Sequence, residues 1–140
     1  MNEKLDQIID DFSFLDDWED RYRYVIELGK ELPDMPESEK TEENRVHGCA
    51  SQVWLVSERD AGEDPVMRFR GDSDAFIVRG LVSIVLTVYS GEKASKIAAT
   101  DALETFRRIG LVDHLSAQRA NGLNAMVTKI RETAARALSS

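Results

Sequence analysis

Gln52-Val53-Trp54-Leu55-Val56-Ser57, then Asp60-Ala61-Gly62-Glu63-Asp64-Pro65, then Val66-Met67-Arg68-Phe69-Arg70: the reading of this stretch decides the fold. The two outer runs are short and rich in β-branched and aromatic residues, which suit a pleated surface. The segment between them is turn chemistry, with Gly62 and Pro65 breaking any regular element. The pair predicts an antiparallel hairpin with a loop of several residues. Just upstream, Arg45-Val46-His47 predicts a short third strand. That leaves Gly48-Cys49-Ala50-Ser51 as the tight connection into the hairpin.

Helical periodicity surrounds this centre. Leu5, Ile8, Ile9, Phe12 and Leu15 recur at the spacing of one buried helical face. Trp18, Tyr22, Val25, Ile26, Gly29 and Leu32 form a second such stripe, with Asp16 and Glu19 as its capping box and Pro33 as its stop. Pro33 to Asn44 is polar, holds two prolines and predicts a surface loop with one short helical turn after Pro36. Downstream, Ser73 or Asp74 caps a helix running to about Tyr89 and ended by Gly91. Its Ile77, Val78, Val82, Ile84, Val85 and Val88 would also suit a strand, but a run of more than ten residues favours a buried helix. Lys93 to Ala99 and Ala102 to Ile109 predict shorter helices, with Gly110 as a C-terminal stop. The last helix opens at Ser116, with Leu123, Met126, Val127 and Ile130 as its apolar stripe and Arg131 and Arg136 in its later turns.

The 140 residues suit one domain, 1–140, and 42% hydrophobic composition is enough to close a single core. Residues 75–89 are interrupted by Arg79 and fall short of the roughly 20 apolar residues that span a bilayer. The first residues lack the basic and apolar regions of a signal peptide, so a cytoplasmic location is expected, where a lone thiol stays reduced. The net charge of −8 argues against general binding of phosphate backbone. That charge is uneven. Residues 1–43 hold 15 acidic and 5 basic side chains, whereas residues 44–140 hold 11 and 13. The acidic third reads either as a solvated face or as a docking surface for a basic patch.

Phosphate-binding glycine loops and the H-E-x-x-H metal motif are both missing from the sequence. His47 and His114 have no ligand-like spacing, and the carboxylates form no pattern that marks acid–base catalysis. What remains is Cys49, the only cysteine, which excludes an intrachain disulfide framework and a cysteine-rich zinc site. Its residues leave two readings, a small buried hydrophobe or a reactive thiol. Small neighbours favour approach by another molecule: Gly48, Ala50 and Ser51 leave room around the sulfur, and Gly48 permits a sharp turn. In an extended stretch His47 would face the same side as Cys49, either assisting deprotonation or simply facing solvent.

Gly48-Cys49-Ala50-Ser51-Gln52-Val53-Trp54 resembles the active-site segment of the SufE family of sulfur acceptor proteins. Trp18-Glu19-Asp20-Arg21-Tyr22, Ile26-Glu27-Leu28-Gly29 and Leu32-Pro33 resemble the family's N-terminal helix. Gly71-Asp72-Ser73-Asp74-Ala75 with Val78-Arg79-Gly80-Leu81 resembles its strand-to-helix junction. Leu115-Ser116, Arg119, Gly122-Leu123 and Met126 resemble its last block. The resemblance implies an α+β fold, a small three-stranded antiparallel sheet packed against helices, similar to the iron–sulfur scaffold IscU. It implies a carrier that takes sulfane sulfur from a SufS- or CsdA-like cysteine desulfurase, stimulates it, and delivers to a downstream iron–sulfur scaffold complex. Cys49 would be the persulfide-forming acceptor, supported by Gly48, Ser51 and Gln52. Arg119 matches a family arginine near the cysteine loop, and Asp74 matches an acidic residue at the partner-docking segment. No cofactor of its own is implied, since the pyridoxal phosphate belongs to the desulfurase. No nucleic acid or membrane partner is expected, and a homodimer is left open.

A single cysteine suits a carrier, because a second thiol nearby would expel the sulfur and close a disulfide. Trp54 and the Ile77/Leu81 helix would provide an apolar shelter for the persulfide. Rival readings are an iron–sulfur scaffold, a thiol hydrolase or transferase with a Cys–His pair, and a non-catalytic adaptor.

Overall fold

A computed structural model describes residues 2–48 and 51–139. Two helices, α1 (Glu3–Phe14) and α2 (Trp18–Lys30), lead through a 3-10 turn (Glu37–Glu39) to strands β1 (Val53–Arg59) and β2 (Val66–Ser73). Helix α3 (Phe76–Tyr89), strand β3 (Glu92–Lys93) and helices α4 (Ala94–Ala99) and α5 (Leu103–Arg108) follow. A 3-10 turn at Val112–His114 precedes the last helix, α6 (Ala117–Ser139). The architecture is α+β, with a three-stranded antiparallel sheet in the order β1-β2-β3.

The third strand is not the expected one. Arg45 instead forms an isolated antiparallel bridge with Trp54 on the outer side of β1. The Val46 N–H donates to Val53 O and the Leu55 N–H to Asn44 O, both at 2.8 Å. The third member of the sheet is β3, paired with the other edge of β2 as Val66↔Lys93 and Met67↔Glu92. Two residues carry no strand periodicity. This pairing is set by the chain reversal after α3, where the Gly91 N–H donates to Met67 O.

Helix α3 is the hub. Ten of its 14 residues are buried, which explains why its β-branched sequence lacks a polar face. Against α2 the two backbones nearly touch. A Cβ on Gly80 would lie 2.1 Å from the Val25 carbonyl oxygen, and one on Gly29 would lie 2.7 Å from the Gly80 nitrogen. Against the sheet, Met67, Phe69 and Gly71 alternate onto the α3 side, and a Cβ on Gly71 would meet Val82 at 2.8 Å. The opposite face of the sheet is partly covered by the loop after α2. There the Lys40 ammonium lies 5.3 Å from the Trp54 ring centroid, and Arg70 makes a forked bond to Glu39.

Cap positions shift by small steps. Asp17, not Asp16, caps α2, because it has the extended backbone that lets its carboxylate accept from the Glu19 N–H. Neither Ser73 nor Asp74 caps α3. Ala75 occupies that position without a side-chain bond; Ser73 belongs to β2, and Asp74 turns to the chain at Gln52. The 3-10 turn after Pro36 and the helical reading of residues 76–89 agree with the sequence.

One buried carboxylate sits at the strand-to-helix junction. Asp72, 3% exposed, accepts from the Ser73 N–H at 2.7 Å and lies 3.3 Å from the Arg79 guanidinium and 3.7 Å from Lys40. Arg79 also donates to the carbonyls of Gly29 and Leu32, which ties the end of α2 to α3. A buried charge so partnered costs little to keep and several kcal/mol to orphan, about 3–5 by the usual measure.

Candidate functional site

The site is built on α6. Its N-terminus is capped by Ser116, whose hydroxyl accepts from the Arg119 N–H at 3.2 Å. Leu123, Met126, Val127 and Ile130 enter the core, as their spacing predicts. Ala125 and Lys129, one helical turn apart on an adjoining stripe, meet the chain that runs toward residue 49. The Lys129 ammonium donates to the carbonyls of Arg45 at 3.0 Å and Glu43 at 3.3 Å. Its pKa is held below the usual lysine value, first by burial and then by the nearby charge of Arg136.

Gly48 has φ +98°, a conformation that L side chains rarely adopt. A Cβ there would be 3.4 Å from that of Ala125. Cys49 and Ala50 lie outside the described residues. The chain is next described at Ser51 and Gln52. The Gln52 N–H donates to the Asp74 carboxylate at 3.0 Å, and the Asp74 N–H returns a bond to Gln52 O at 3.3 Å. The segment carrying Cys49 is therefore anchored on both described flanks. Lys129 and the bridge to β1 hold the entrance, and Asp74 holds the exit.

Beside Ser51 is a cleft of about 310 Å³. Ser51, Gln118 and Arg119 stand at its polar wall, and Val78, Leu81 and Met126 supply the apolar part. Among the described residues no carboxylate pairs with the Arg119 guanidinium. The structure thus brings Ser51 and Arg119 to one cleft, although they are distant in sequence. A larger hollow of about 570 Å³ lies between the start of α1 and the later turns of α3, and shares no lining residue with this cleft.

The expected apolar shelter surrounds Cys49, which lies outside the described residues. Leu81 lines the cleft, but Ile77 and Trp54 do not. Strand alternation puts Trp54 on the face opposite Val53 and Leu55, under Lys40. Val78 and Met126 line the cleft beside Leu81. Val78 precedes Leu81 by three residues on the same face of α3, a signal available in the sequence.

The histidines are engaged locally. His47 is exposed, with Nε2 3.1 Å from a Glu42 carboxylate oxygen. His114 stacks on Trp18, ring centroids 3.4 Å apart, and its carbonyl accepts from the Tyr22 hydroxyl. Lys129 is the residue that sequence reasoning missed, since a lysine beside an apolar stripe ordinarily reaches for water. Among the described residues no helix is long and apolar enough to cross a membrane.

An α+β fold in which the chain leading toward the one cysteine is tied to β1 and to the long C-terminal helix defines the class of protein. The fold matches the solution structure of a hypothetical protein from Thermus thermophilus, with a TM-score of 0.77 over 100% of this chain and 99% of that one, at 22% identity. The family model described as SufE, Fe-S metabolism associated domain, matches residues 6–134. An uncharacterised SufE-like protein of Rhizobium meliloti is 63% identical over 131 residues, 93% of this chain and 94% of its own. One of Rhizobium etli is 67% identical over 131 residues, 93% of this chain and 88% of its own. The chain belongs to the SufE family, and that membership ties it to iron–sulfur metabolism.

Proposed function

We propose that this protein is a sulfur carrier whose Cys49 accepts sulfane sulfur from a PLP-dependent cysteine desulfurase and delivers it for iron–sulfur cluster assembly. In the uptake step the Cys49 thiolate attacks the outer sulfur of the donor's persulfide. A sulfur–sulfur bond forms at Cys49, the donor's sulfur–sulfur bond breaks, and the donor cysteine leaves as a thiolate. No external oxidant or reductant is needed. The observation that carries this reading is the family match across residues 6–134, which includes the chain's one cysteine. The anchored flanks and the adjoining cleft support it. Arg119 is assigned to stabilise the thiolate or persulfide anion. Gly48, Ser51 and Gln52 shape the segment, and Asp74 holds its exit and faces the donor. The donor is SufS- or CsdA-like, contact with it stimulates its turnover, and the reducing cytoplasm is the compartment in which a lone thiol carrier works.

The test is to incubate the protein with a cysteine desulfurase and cysteine, then weigh the intact chain. A mass gain of one sulfur in the wild type, lost in Cys49→Ser with the fold retained, is expected. No gain with either type of desulfurase, or a gain that persists in Cys49→Ser, rejects the reading.

A further inference from the structure

We infer that Lys129 is a positioning residue for sulfur uptake, tethering the chain that enters the Cys49 segment to α6; this rests on the carrier reading above. Three observations converge. First, the ammonium bonds two backbone carbonyls, Arg45 O at 3.0 Å and Glu43 O at 3.3 Å, and both belong to the stretch leading to residue 49. Second, that stretch has little regular structure of its own. It touches the sheet through one isolated bridge and its two flanking bonds, Val46 N–H to Val53 O and Leu55 N–H to Asn44 O. A short unpaired edge of this kind opens locally at low cost unless something outside the sheet holds it. Third, Lys129 lies one helical turn beyond Ala125, the residue against which Gly48 packs. One stripe of α6 therefore fixes both the height and the direction of the chain as it approaches the cysteine.

The chemistry suits a tether. A lysine bonded to carbonyls is bonded to backbone, so its hold does not depend on which side chains occupy positions 43 and 45. Charge-assisted bonds to carbonyls in a half-buried setting are stronger than neutral ones. Thiolate attack on a sulfur–sulfur bond requires alignment of three sulfurs, and a misplacement of about 1 Å in such a geometry costs up to about a hundredfold in rate. Lys129 touches neither donor nor sulfur in this account. It acts through the backbone of residues 43–48.

Lys129→Met keeps the apolar stem and removes the donors; Lys129→Arg keeps donors. Sulfur uptake from a desulfurase would be followed by intact mass at varied desulfurase concentration, alongside amide hydrogen exchange and thermal melting. Lys129→Met is expected to lower the maximal uptake rate about tenfold with little change in the half-saturating desulfurase concentration. Exchange should rise at Val46 and Leu55 but not in α3, and Lys129→Arg should recover most of the rate. Uptake at the wild-type rate in Lys129→Met overturns the inference. So does a slow rate accompanied by faster exchange throughout α3 and a matching fall in melting temperature, which marks a general structural role. A failure of the wild type to take sulfur rejects the carrier reading instead, while unchanged exchange at Val46 in Lys129→Met still rejects the tether by itself.

Discussion

The two ends of the β1–β2 hairpin use the same local chemistry for different purposes. At the turn end, Gly62 has φ +119° and Asp64 accepts from the Ser95 N–H at 2.9 Å. At the open end, Gly48 has φ +98° and Asp74 accepts from the Gln52 N–H at 3.0 Å. Each end thus pairs a left-handed glycine with an aspartate that receives a backbone donor. The surroundings differ. A Cβ on Gly62 would meet nothing within 4 Å, whereas one on Gly48 would meet α6 at Ala125. Around the turn the further ties are two backbone bonds, Asp60 N–H to Val66 O at 3.1 Å and Ala94 N–H to Pro65 O at 2.8 Å, and an exposed pair, Arg68 with Asp60 at 3.1 Å, of a kind worth little to stability. Around the open end the ties come from β1, α6 and the β2–α3 junction. The same devices dock a turn on the start of α4 at one end and anchor the flanks of the cysteine-bearing segment at the other.

The largest expected effect removes the comparison altogether. Gly80→Ala would place a methyl 2.1 Å from the Val25 carbonyl, a backbone atom that cannot step aside. Separation of α2 from α3 should cost about 3 kcal/mol, seen as a lower urea midpoint with both hairpin ends unfolding together. A midpoint within error of the wild type would mean the helices are not locked at this crossing. The next effect separates the ends. Gly48→Ala and Gly62→Ala each force a Cβ into the left-handed region, at about 1–2 kcal/mol. Similar losses of stability are therefore expected from both. Sulfur uptake at Cys49 should fall severalfold only in Gly48→Ala. Equal uptake in the two variants would show that the open end is no more than a second turn.

Most of the scaffold was legible in the sequence because its signals are local. The hairpin announced itself through composition and turn residues. Helix α3 was separable from a strand by length, and its all-round burial explains why its sequence has no polar face. The third strand was misplaced because β3 has two residues, and its pairing depends on where α3 ends rather than on its own side chains. Arg45-Val46-His47 had the better strand signal yet supplies only a bridge. The site divides in the same way. Cys49 and its small neighbours were visible as a motif, and Arg119 and Ser51 were named, but their meeting in one cleft is a tertiary fact. The place of Trp54 on the face of β1 opposite Val53 and Leu55 follows from strand alternation. Lys129 was hidden because its partners are carbonyls, which every residue carries and no sequence pattern marks.

The smallest effect concerns the aspartates. Asp64 is held below the usual carboxylate pKa, first by the hydrogen bond from the Ser95 hydroxyl and then by the Ser95 N–H. A depressed folded pKa means that the fold favours the ionised form. The stabilisation is complete above the unfolded value, about 4, and disappears as pH falls through the lower folded value. Asp64→Asn keeps an oxygen to accept from Ser95 but cannot ionise. Melting temperatures of the wild type and Asp64→Asn should therefore differ slightly and by a constant amount from neutral pH down to about pH 5, and then converge as pH falls below the unfolded value. A gap that never narrows as the protein is acidified would assign the tie to shape rather than charge. Asp74→Asn is its counterpart at the open end, and there the informative readout is not melting. If the carboxylate fixes the exit of the cysteine segment, uptake of sulfur at neutral pH should slow in Asp74→Asn and stay unchanged in Asp64→Asn. Two aspartates with the same bond to a backbone donor would then differ only in what lies at the far side of the residue they hold.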